Sequence, residues 1–190
     1  MKQLQDLPTR LTNINIDQTI DDYLKLVKQI PSFIDKKESS IEFLLSIKRD
    51  IIKKGPYPGV TLFEAANRIM TDLVILKGVQ QLLNGEYPEL KNDHYLVEYG
   101  HSDQYDHDLT VEGNSQVKLK GEAFNVAESF FPIKKASALK KLRKETSANE
   151  KIILIYNKEA VQENYKPKSR QNEYHVRVDI KQMINRIEEL

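Results

Sequence analysis

The chain has 190 residues, 39% of them hydrophobic and 30% charged, with a formal net charge of +1 and no cysteine. That balance describes one domain with a real core, or a core with a helical appendage, and excludes a disordered chain. It also excludes disulfides and cysteine-ligated zinc, and leaves any attraction to nucleic acid to local basic patches.

In chain order, the stretch 17–30, "DQTIDDYLKLVKQI", spaces Ile20, Leu24, Val27 and Ile30 as a helix that Pro31 stops. The stretch 39–54 opens with Ser39 and Glu42 at capping-box spacing and ends before Gly55. "GPYPG" at 55–59 is the clearest break, so the sequence predicts a helical N-terminal region over 1–55, packing or dimerising, and an α/β core over 56–190. Thr61 and Glu64 start a long buried helix that Asn84-Gly85 ends. Strands are expected at 94–100, 107–112 and 116–127, a helix at 133–145, strands at 151–157 and 173–180, and a closing helix. The order is that of a mixed α/β sheet flanked by helices. No apolar run reaches signal or membrane-spanning length, which predicts a cytoplasmic protein with no membrane partner.

The stretch 105–131, "YDHDLTVEGNSQVKLKGEAFNVAESFF", carries the chemistry. In a hairpin the loop length decides which residues share a face. A two-residue loop at 113–114 splits Leu109 and Val111 from Val117 and Leu119. A three-residue loop at 113–115 puts all four on one core face. The second register sets Asp106 opposite Glu122 and Asp108 opposite Lys120. Two opposed carboxylates repel unless a cation joins them, and Mg²⁺ is held by one or two carboxylates plus water and phosphate.

This arrangement resembles the PD-(D/E)XK nuclease superfamily, the core shared by most type II restriction endonucleases. "YDHDLTV" is similar to the strand that its metal-binding Asp opens, "KLKGEAFNVA" to the strand that carries its second acid, and Glu64 to the glutamate that many relatives add from the leading helix. The resemblance spans residues 61–180 and implies a restriction-endonuclease-like fold. It further implies a Mg²⁺-dependent endonuclease acting on double-stranded DNA as a homodimer. Asp108 and Glu122 would bind the metal, with Asp106 and Glu64 as secondary ligands. The expected lysine position holds Phe124, and the role passes to Lys120, with Lys118, Lys134 and Lys135 as alternatives. A nuclease-like module that binds DNA or protein without catalysis is the rival reading.

The run "IKKASALKKLRKE" holds Lys134, Lys135, Lys140, Lys141, Arg143 and Lys144 on a helix with a buried side, a candidate phosphate-contacting surface. His101, Asp103 and His107 raise a zinc reading, but the chosen register turns His107 away from Asp106 and Asp108.

Overall fold

A computed structural model describes residues 3–31, 39–100, 106–111, 117–147 and 149–189. Six strands form one sheet in sequence order: β1 (Arg10–Thr12), β2 (His94–Val97), β3 (Leu109–Thr110), β4 (Leu119–Phe124), β5 (Lys151–Asn157) and β6 (Glu173–Val178). The first four run antiparallel to their neighbours; β4, β5 and β6 are parallel. The helices are α1 (Ile16–Val27), α2 (Ser40–Arg49), α3 (Leu62–Leu83), α4 (Phe131–Glu145) and α5 (Gln182–Glu189). The expected mixed sheet flanked by helices is present. Among the described residues no helix is long and apolar enough to cross a membrane.

Both faces of the sheet are covered, which is why β5, "KIILIYN", reads as a continuous apolar run. Ile153 and Ile155 point into the core shared with α1 and α3, whereas Ile152, Leu154 and Tyr156 point into a second core under α4. The caps expected at Ser39 and Thr61 form, each side chain accepting from the backbone N–H three residues on. Gly78 lets α3 press against β5, since a Cβ there would lie 2.5 Å from Ile155 Cγ2. Arg186 of α5 reaches back to Asp17 and Asp21, fastening the C-terminal helix to α1.

The division expected at residues 55–56 does not divide the core. Residues 10–12 form the edge strand of the sheet, pairing Leu11 with Tyr95, and Leu11, Ile16, Ile20, Tyr23 and Leu24 share one core with α3. The N-terminal region is therefore not a purely helical appendage.

A buried carboxylate binds these parts together. Asp72 of α3 is fully buried and accepts from Tyr23 Oη of α1 at 2.5 Å, from Tyr57 Oη, and from the backbone N–H of Gly100 at 3.0 Å. Burial pushes its carboxyl up to about 6, against the pull of the two tyrosine hydroxyls, the Gly100 N–H and the Arg68 charge. A raised acid favours its protonated form in the fold. Its charge therefore costs stability above about pH 6, and the cost is relieved as pH falls from about 6 towards the ordinary value of 3.8. Tyr23→Phe should lower the unfolding free energy by about 2 kcal/mol at pH 7.5, and by clearly less at pH 5, where the acceptor is neutral. Chemical denaturation at the two pH values checks this.

Candidate functional site

The β3–β4 pairing sets Leu109 opposite Gly121 and Thr110 opposite Lys120. Continued by one residue, it places Asp108, not Asp106, across from Glu122. The face assignment is as expected: Leu109, Val111 and Leu119 are buried in the α3-side core with Val117 packed against it. The register is displaced by two residues from the expected one, a shift that keeps every side chain on its face. Asp106 is thereby carried beyond the strand and is exposed, and the 113–115 loop lies outside the described residues.

Asp108 stands just before β3 and is held by the neighbouring strand. Its Oδ2 accepts from Ala123 N at 2.8 Å. β3 begins at Leu109, so the carboxylate serves a β4 N–H that lies beyond the β3–β4 ladder. Burial, then the Glu122 charge, pushes the Asp108 carboxyl up to about 6, opposed by the Ala123 N–H and by the charges of Lys141 and Lys134.

Glu122 lies on the α4 side of β4. Its Oε1 accepts from Lys141 Nζ at 2.7 Å and stands 3.1 Å from His107 Nδ1; Oε2 takes part in neither contact. Burial works against the Lys141 charge, but the bond to Glu122 and the nearby charges of Glu122, Asp108 and Glu145 hold its pKa above the ordinary lysine value. The lysine at the acids is thus Lys141, nineteen positions after Glu122 and carried in by α4. It was legible in the sequence only as one of the basic run.

His107 joins the site instead of pointing away. It is buried, with Nδ1 on Glu122, while Nε2 lies 3.2 Å from Glu145 Oε2 without hydrogen-bond geometry. An ionised carboxylate only accepts, so Nδ1 carries the proton in that pair. Strand alternation does not govern His107, because β3 starts two residues later and a residue outside the pleat is not bound by its period. His101 and Asp103 lie outside the described residues, and no group of three or more His, Asp or Glu able to hold a metal occurs among those described.

The remaining expected residues scatter. Lys120 shares the Glu122 face, but its Nζ donates to the Glu145 carbonyl at 2.6 Å, closing the C-terminus of α4. Phe124 fills the α4-side core, stacked with Tyr156 and tilted against Phe131. Lys134 Nζ lies 6.0 Å above its ring, and Lys118 is exposed. Glu64 pairs with Arg68 on α3, the helix that covers the opposite face of the sheet from α4. In the basic helix, Arg143 forms a two-bond pair with Glu173 of β6, and Lys135 donates to Tyr165 Oη. Lys134, Lys140 and Lys144 are exposed.

These environments separate two kinds of basic residue. Arg143→Met strips a partner from the nearly buried Glu173 and should cost about 3 kcal/mol in denaturant unfolding. Lys141 is half exposed, and Lys141→Met should cost less than about 1 kcal/mol.

Comparison of the chain with protein-family models, with curated proteins and with solved structures finds no match.

Proposed function

We propose that the chain is a Mg²⁺-dependent endonuclease with a restriction-endonuclease-like fold, hydrolysing phosphodiester bonds of duplex DNA. The observation that carries this reading is Asp108 across β3–β4 from Glu122 with the Lys141 ammonium on Glu122. The element order gives further support: a long helix, three antiparallel strands, a helix, then two parallel strands.

Asp108 and Glu122 fit a Mg²⁺ ion, which takes one or two carboxylates and leaves its other positions to water and a substrate phosphate. Burial is the first cause of the raised Asp108 carboxyl and repulsion from Glu122 the second, and a dication would relieve that repulsion. When bound, the ion supplies charge neutralisation of the phosphate and a water ready to attack. The chain's own part is positional and electrostatic. Ala123 N fixes Asp108, His107 and Lys141 fix Glu122, and Lys141 brings a positive charge to the place where charge grows on the attacked phosphate. The exposed Lys134, Lys140 and Lys144 offer contacts for backbone phosphates.

The rival, a nuclease-like module that binds DNA or protein without cutting, is favoured by Phe124 at the usual lysine position and by the lack of a third ligand among the described residues. Incubation with long duplex DNA in Mg²⁺ and in Mn²⁺ separates the two: cleavage supports the enzyme, and intact DNA in both supports the module. If the parent cuts, Asp108→Asn and Glu122→Gln should each abolish cleavage with unchanged circular dichroism. Lys141→Met should abolish it as well, while Lys120→Met should retain it with a lower melting temperature. Activity in Lys141→Met and none in a folded Lys120→Met would return the lysine role to Lys120.

The basic helix gives a separate measurement. Replacing Lys134, Lys140 and Lys144 with Gln should weaken binding to all duplexes alike. It should also flatten the log–log salt dependence by about 0.9 for each phosphate that the variant no longer neutralises. An unchanged slope reduces that face to a solvated one.

A further inference from the structure

The outer side of α2 exposes an apolar stripe. Ser46 is buried and Phe43 and Ile47 are half-buried on its inner side, whereas Ile41 is 67% exposed, Leu44 58% and Leu45 42%. Lys48 follows Leu44 by four residues and Leu45 by three, so it lies on the same side, and its Nζ stands 3.4 Å over the ring of Phe63, itself 45% exposed. Spacing of three and four residues is what a helix uses to bury one face against a partner, and contiguous apolar surface of this kind marks an interaction site.

The charges beside the stripe say which partner fits. Glu42 and Arg49 are nearly two helical turns apart, so they lie on the same flank, one at each end of α2. The opposite flank, with Ser40 and the half-buried Ile47, carries no charge. An antiparallel pair of identical helices about a two-fold axis lays each flank against itself, reversed. With the axis between Leu44 and Leu45, those leucines meet their own copies, and Glu42 of each helix meets Arg49 of the other. A parallel mate would set the charged flank against the uncharged one. The helix dipoles also oppose in the antiparallel arrangement.

We infer that the outer face of α2 is an isologous docking surface for a second copy of this chain, held by a Leu44–Leu45 centre and two reciprocal Glu42–Arg49 ion pairs. This does not rest on the nuclease reading. Sedimentation of the full chain at micromolar concentration should report a dimer. Leu45→Glu should give a monomer with unchanged circular dichroism. Glu42→Arg and Arg49→Glu should each weaken the dimer by about tenfold or more, and the double exchange Glu42→Arg with Arg49→Glu should restore it. A monomeric parent protein, as would follow if another part of the chain covered the stripe, overturns the inference. So does a dimer that survives Leu45→Glu. A double exchange that fails to restore the dimer weakened by the single changes overturns the reciprocal pairing. The exchange introduces only exposed charges, so it stays informative even if Leu45→Glu fails to fold.

Discussion

The period-two alternation of β3 and β4, with both faces of the sheet covered, is the constraint on which the rest of the site depends. Leu109 and Leu119 belong to the core shared with α3, and a strand cannot turn one residue without turning all. Their burial therefore sends Asp108, Lys120 and Glu122 to the side of α4. There α4 docks through Ala138, Leu139 and Leu142 against β4 and β5, and that docking sets its rotation. The rotation delivers Lys141 to Glu122 and the end of α4 to Lys120. Apolar burial thus positions polar groups that hardly bind one another in water.

A second constraint runs through Asp72. Taking a carboxylate out of water is costly unless donors replace its hydration, and here the donors come from three separate parts of the chain: α1, the turn after α2, and the segment after β2. The network ties the N-terminal elements to α3 and to the end of the strand that neighbours β3. The Gly-Pro break at 55–59 is accordingly a turn inside one core. Tyr57 from that turn is one of the residues that close the core.

The basic helix shows how far charge counting goes. Its six cations look alike as a run, yet each meets a different environment. Arg143 is spent on Glu173, Lys135 on Tyr165 and Lys141 on Glu122, each holding α4 to the sheet or to the loop beyond it. Lys140 and Lys144 are exposed, and Lys134 is exposed too but keeps its Nζ 6.0 Å over the Phe124 ring. A solvated face and a ligand-contacting face have the same sequence signature, and only the partners of each side chain tell them apart.

Local patterns in the sequence were enough for the long elements and for the faces of the residues that pair within β3 and β4. The helices α1 and α3, the buried β5, the caps at Ser39 and Thr61, and Asp108 and Glu122 on the α4 side were legible, because burial imposes a period and a cap needs specific residues. β1 was not, since three residues, "RLT", with one buried side chain are too few to show alternation. Nor was the β3–β4 register: burial fixes its parity, but a slip of two keeps every residue on its face, so only the three-dimensional pairing decides that Asp108 stands across from Glu122. His107 sits outside the pleat, where no period governs it. Lys141 reaches Glu122 only through the rotation of a helix packed on a sheet, and that geometry belongs to the tertiary structure because no local pattern encodes which side of a basic helix meets which strand.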